Sequence, residues 1–292
     1  MLWKLPDIRI SADPLYPGAP AFLTNTFLLS IVAGAIVVAF FLIATRRPKI
    51  IPGRLQNLIE WIFQGLLNLC EEVAGKENGR RFFPIVASLF LFILISNWFS
   101  VVPGIDTIGL KTTGPGCEGA ASAGIFLTGP YSNCITPLLR PPTTDLNFTI
   151  ALSILTVVMT QVYGFRVLGW RVQISRYLTL KEGPIGLLVG ILEFFLELLR
   201  VLSLSFRLFG NVFAGDVLLL VMSFIGVGLA SIPFYFLELF VGFIQAFVFA
   251  FLTLLFFTLG TTAHGHDDAE EHHAAEAAHE AHEGATRALA RE

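Results

Sequence analysis

Residues 184–229 read PIGLLVGILEFFLELLRVLSLSFRLFGNVFAGDVLLLVMSFIGVGL, an apolar tract carrying Glu193, Glu197, Arg200, Arg207 and Asp216. As one helix this tract would run roughly 69 Å, at about 1.5 Å per residue, against a hydrocarbon core of about 30 Å. It is too long for one upright span. Either it tilts steeply or it breaks near Gly210 and Gly215. Its ionisable groups are costly in lipid, roughly 2.5–3.5 kcal/mol each on insertion scales. With Glu238 in the next tract they make a set of six, while the earlier spans have essentially none in their middles. A cost so concentrated points to a function in the same place.

The spacing sorts these charges. Glu193, Arg200 and Arg207 are seven apart and share one helix face. Glu197 lies one turn from both Glu193 and Arg200, and a structural Glu197–Arg200 ion pair stands about level with a functional reading. Arg207 has no acid three or four positions to either side. A guanidinium keeps its proton in proteins, so Arg207 is not a link in a proton wire. It attracts a carboxylate, holds it ionised and blocks leakage. The small residues Ser203, Ser205, Gly210, Ala214 and Gly215 would let a partner helix approach closely.

Working outward, Pro233–Gly260 is a second long tract, roughly 42 Å as a helix, which should also tilt. Upstream, Phe22–Ala44 suffices for a first span and ends at Arg46, Arg47 and Lys49. Between residues 54 and 75, Leu55, Leu58, Ile59, Ile62, Phe63, Leu66, Leu67, Cys70 and Val73 recur at helical spacing opposite a polar face. This predicts an amphipathic helix in the cytoplasmic interface. The second span, Phe82–Val102, is entered through Lys76, Arg80 and Arg81. Residues 103–144 form a long outer loop, and the third span runs from Phe148 to about Trp170. The dense basic clusters fall on one side, which places the N-terminus outside and, if 184–229 crosses once, the C-terminus in the cytoplasm.

The expected fold is therefore an all-α integral membrane protein. It has about five crossing helices and one interfacial amphipathic helix, the last two crossing helices long and strongly tilted. Residues 1–21 are an outer N-terminal segment, 22–262 the membrane domain, and 263–292 an acidic cytoplasmic tail holding all six His. Composition agrees: of 292 residues 54% are hydrophobic, only 14% are charged and 28 are Phe, with a mean hydropathy of +0.72. A soluble domain runs about 25% charged. A formal net charge of −3 speaks against nucleic-acid binding. The start of the chain lacks the basic patch and short apolar core of a signal peptide. Three Cys do not make a disulfide scaffold, but Cys117 and Cys134, both in the outer loop, are candidates for a disulfide, with Cys70 free.

The run Ser203-Leu204-Ser205-Phe206-Arg207-Leu208-Phe209-Gly210-Asn211, with Ala214-Gly215, closely resembles the signature of subunit a of F-type ATP synthases. Pro142-Thr143-Thr144-Asp145-Leu146-Asn147, Ile95-Ser96-Asn97-Trp98 and Gln245-Ala246-Phe247-Val248-Phe249 match in order, so the resemblance covers about residues 20–262. It implies a stator of the FO sector in the cell inner membrane, part of a rotary motor rather than an enzyme on its own. Two offset half-channels would carry ions to and from the carboxylates of a ring of c subunits. By resemblance Arg207 is the essential cation facing that ring, and Asp216, Glu238, Gln245, Asn211, Glu193 and Asp145 belong to the proton path. Family members often carry Glu or His at the positions of Asp216 and Glu238. The implied partners are the c-ring, the subunit b stalk, the rest of the F1FO complex and membrane lipid. No cofactor and no metal are implied. The ion is read as H⁺; Na⁺ stays open, because that choice resides largely in the c subunit.

Two other classes bear weighing. A secondary ion transporter with a midplane charged site would call for inverted repeats, and no second copy of the Arg207 region occurs. An intramembrane hydrolase would need His in the spans, and every His lies in the tail.

Overall fold

The computed structural model describes residues 24–45, 53–102, 109–111, 122–123, 126–127, 135–137, 140–170, 173, 184–225 and 232–261. The N-terminal segment, the basic residues at 46–49, Cys117, Cys134 and the His-rich tail lie outside the described residues.

Five α-helices carry the fold: α1 (Asn25–Thr45), α2 (Arg54–Val101), α3 (Leu146–Leu168), α4 (Pro184–Ile225) and α5 (Ile232–Thr261). Among the described residues four stretches are long and apolar enough to cross a membrane: Asn25–Ile43, Gln56–Val101, Leu146–Leu168 and Ile232–Thr261. After Asn25 and Thr26 at its start, α1 buries Leu29, Ala33 and Val37, one residue per turn, while Ile31, Val32, Ile36, Val38 and Leu42 are exposed. A helix apolar on every side is at home in lipid.

α2 contains both the amphipathic segment and the second span. It is one helical run of 48 residues, interrupted at Gly75, where φ is 77° and ψ 162°. Only glycine takes such a conformation without strain. The chain doubles back there, since a Cβ on Gly79 would clash with the backbone of Cys70 and Glu71. Arg80 Nε meets Glu71 Oε1 at 2.7 Å on the outside of this corner. The amphipathic half packs on α1 through Phe63 against Phe40 and Phe41, with ring centroids 6.1 and 5.5 Å apart.

Beyond Gly75, α2 buries Phe82, Val86, Phe90 and Ile93, and its main neighbour is α5. Phe82, Tyr163 and Phe257 form an aromatic triad joining α2, α3 and α5, with centroids 5.2–5.4 Å apart. Such edge-on ring pairs add about 0.5–1.5 kcal/mol each beyond area burial. At the other end of the pair Asn97 Nδ2 donates to the Gly242 carbonyl at 3.0 Å.

The loop after α2 holds two short antiparallel ladders, β1 (Gly109–Lys111) with β4 (Ile135–Pro137) and β2 (Ser122–Ala123) with β3 (Phe126–Leu127). Strands of two or three residues are too short to leave an alternation in the sequence, so the reading there was simply loop. A buried 3₁₀ turn, Pro142–Thr144, leads into α3. α3 buries a hydroxyl stripe, Thr149, Ser153, Thr156 and Thr160. Ser153, Thr156 and Thr160 each donate to the carbonyl four residues back, at 2.9–3.1 Å. That disposes of hydroxyls that would otherwise be costly to bury.

α4 settles the alternative left open above. It runs without interruption for 42 residues, so it does not break at Gly210 or Gly215. At about 1.5 Å per residue its length is roughly 63 Å, and no upright helix of that length fits a core of about 30 Å.

Candidate functional site

The site is the hairpin of α4 and α5, backed by α3. Three pairs fix its register. Glu238 lies against Gly215, so closely that any Cβ at 215 would overlap the carboxylate. Asn211 Nδ2 donates to Gln245 Oε1 at 3.4 Å. The Arg200 guanidinium stands 4.2 Å over the Phe256 ring, a cation–π contact. All three pairs are centred within the 226–231 connection. Proline in the first turn of α5 starts the helix rather than marking the turn, because its missing N–H is not needed there. Glu238 comes level with Gly215, the neighbour of Asp216. Glu238 is buried and Asp216 half-buried.

α4 has two faces. Val201, Leu204, Ser205, Leu208, Val212 and Leu219 are buried. On the other face Ser203, Arg207, Gly210 and Ala214, at spacings of four, three and four, are exposed. Arg207 thus projects from the unpacked side of the hairpin between small residues. Among the described residues no acceptor bonds its guanidinium.

Polar groups gather on both sides of Arg207 along the helix. Toward the 226–231 turn are Asn211, Asp216, Glu238 and Gln245. Toward the start of α4 is a cavity of about 260 Å³, lined by Thr160, Gln161, Glu193, Glu197, Arg200 and Gly260 among others. Glu197 and Asp216 lie about 15 Å and about 14 Å from Arg207 along the axis, at 1.5 Å rise per residue. Glu197 accepts from Gln161 Nε2, and Arg200 stacks on Phe256.

Asp145 is the N-cap of α3. Its carboxylate accepts from the Asn147 N–H at 3.0 Å and from Thr26 Oγ1 at 3.3 Å, tying α3 to the start of α1. Several buried polar atoms have no partner among the described residues: Ser96 Oγ, Asn97 Oδ1 and Ser100 Oγ at the end of α2, Thr143 Oγ1 in the 3₁₀ turn, and Gln245 Nε2. Asn97 touches α5 at Gly242, one turn from Gln245. Buried orphans of this kind call for water. Gln245 was already assigned to the path by resemblance, but Gln161 was passed over because the spacing argument counted only ionisable residues. A count of amides in the spans would have flagged Gln161.

A helical membrane protein with its charges confined to one long hairpin, and a permanent cation on the unpacked face of that hairpin, belongs to the class of multi-pass ion-translocating proteins. Known proteins narrow the class. Residues 27–258 match the family model described as ATP synthase A chain. The chain is 31% identical to ATP synthase subunit a of Moorella thermoacetica over 242 residues, 83% of this chain and 90% of that relative. It is 32% identical to the subunit a of Syntrophobacter fumaroxidans over 227 residues, 76% of this chain and 78% of the relative. For Campylobacter jejuni the figure is 31% over 226 residues, 76% and 82%. The chain belongs to the ATP synthase subunit a family, whose members translocate ions and are not enzymes on their own.

Proposed function

We propose that the chain is the stator of the FO sector and that Arg207 faces the carboxylates of a c-ring. The observation that carries this reading is the exposure of Arg207 on the small-residue face of α4, with polar clusters on either side of it. A c-subunit helix packed on Ser203, Gly210 and Ala214 would bring its carboxylate to the guanidinium. The pairing would hold that carboxylate ionised while it passes and would stop protons crossing directly.

In this reading the two polar clusters are the two half-channels. Asp216, Glu238, Asn211 and Gln245 form the outer one, with the orphan atoms near Asn97 and Thr143 marking its water. Glu193 opens the inner one. Asp145 joins the outer entrance as the group that anchors α3. A proton enters from one side and leaves to the other by way of the ring, and each charge moved yields about 2.3 kcal/mol per 100 mV. The basic clusters put the N-terminus outside and the C-terminus in the cytoplasm of an inner-membrane complex. Subunit b and the rest of F1FO are its further partners, and H⁺ is the transported ion.

The test is Arg207→Ala in the whole complex. Assembly should persist while ATP-driven proton pumping is lost; full coupling in that variant would refute the role.

A further inference from the structure

Glu197 is held by a chain of two amides. Gln161 Nε2, on α3, donates to Glu197 Oε1 on α4. Gln173 Nε2 donates in turn to Gln161 Oε1 at 2.7 Å. Gln173 is 1% exposed, and its backbone N–H is bonded to the Gly169 carbonyl at 3.2 Å. Its amide rests over Gly164, where a Cβ would stand 2.9 Å from Nε2.

This arrangement has a direction. A glutamine amide turns either its NH₂ or its carbonyl to a neighbour. Because Gln173 donates to Gln161 Oε1, Gln161 presents its NH₂ to Glu197. An N–H donated to a carboxylate fixes its orientation. Simple bracing of α3 on α4 would not require a carboxylate at the end of the chain, nor place that carboxylate on a cavity wall beside Glu193. The other charged groups on that wall are Glu193 and Arg200, both on α4. The α3 and α5 sides contribute Thr160, Gln161, Leu259 and Gly260, none of which titrates.

We propose that Glu197 is a second inner-side proton acceptor, one turn nearer Arg207 than Glu193, and that Gln161 and Gln173 are its positioning residues. The proposal rests on the reading of Arg207 as the centre of the ion path. The proton taken up at Glu193 or from cavity water moves to a Glu197 oxygen, then on toward the ring, and the carboxylate returns to its Gln161-bonded state.

The experiment uses the whole ATP synthase in inverted membrane vesicles, where the inner half-channel faces the medium. ATP-driven pumping per assembled complex is measured against medium pH for Gln161→Met, Glu197→Gln, the double variant and Arg207→Ala. Loss of one hydrogen bond to a charged group predicts a fall of roughly tenfold for Gln161→Met. The loss should lie in proton uptake from the medium side, while the dependence on lumenal pH stays unchanged. The double variant should be no slower than Glu197→Gln alone. Gly164→Ala, which displaces Gln173 without touching the other two, should give a smaller loss of the same kind and serves if Gln161→Met fails to assemble. Unchanged pumping, losses that multiply in the double variant, or losses seen only as less assembled complex would each overturn the proposal. Coupled pumping by Arg207→Ala would instead bring down the underlying reading. Loss in Arg207→Ala with normal pumping in Glu197→Gln would bring down this inference alone.

Discussion

Glu238 lies directly against Gly215, and the fit exists only because position 215 lacks a side chain. The contact brings a buried carboxylate from α5 level with the polar stretch of α4 that carries Asn211 and Asp216. Gly215 is thus the seat of an ionisable group inside a helix, where glycine otherwise costs about 1 kcal/mol relative to alanine.

Gly215→Ala should therefore favour the isolated helix yet impair the complex. The added methyl must push the Glu238 carboxylate out of its seat. Proton pumping is expected to fall several-fold with normal amounts of subunit in the membrane. Shortening the acid in the double variant Gly215→Ala/Glu238→Asp should recover part of the rate. Immunoblots beside pumping assays check both arms, and normal pumping in Gly215→Ala would show that the seat does not matter.

The aromatic triad makes a prediction about stability. Phe257 is fully buried between Phe82 and Tyr163, so Phe257→Ala opens a cavity where α2, α3 and α5 meet. Buried Phe→Ala changes cost about 3–5 kcal/mol. The lower end applies here, because lipid reduces the transfer part of that cost. A lower melting temperature of the purified complex, with pumping intact below it, is the expected outcome.

The spans were legible because lipid demands about 20 apolar residues at a stretch. The end of the amphipathic segment was legible too, since its pattern stops at Val73 and the observed break falls at Gly75. The hairpin register was not. Only contacts between helices, such as Glu238 against Gly215, fix it. Gln161 escaped because a neutral amide in a span carries no obvious electrostatic signal until its partner, Glu197, is known. Gly79 escaped for a similar reason: a tight approach to Cys70 is a tertiary fact with no local signature.

Arg207→Lys tests whether charge alone is enough. An ammonium is compact, sheds its proton when desolvated, and lacks the planar fork that engages a carboxylate at two points. The variant is expected to assemble and to pump far below the unaltered rate, close to Arg207→Ala. ATP-driven pumping and passive proton leak, measured in the same vesicles, check this. Coupled pumping near the unaltered rate would mean that a point charge suffices.

Asp216 and Glu238 are expected to open to the outer side together. Glu238 is buried at the level of Gly215, and Asp216 is half-buried next to it. Both acids lie on the hairpin beside the buried orphan atoms Asn97 Oδ1 and Gln245 Nε2, a polar lining that suits a water file. The file would end at Arg207, which separates it from the Glu193–Glu197 cavity. Cysteine placed at 216 or at 238 should therefore react with a charged, membrane-impermeant thiol reagent added to the outer side, and should resist the same reagent added to the cytoplasmic side. Cysteine at 193 should show the reverse preference. The native Cys70 is buried, and a parent carrying Cys70→Ala, Cys117→Ala and Cys134→Ala removes the background of all three native thiols. Labelling of 216 and 238 from the cytoplasmic side alone would invert the assignment of the two entrances. Equal labelling of all three positions from both sides would mean that Arg207 does not divide the path.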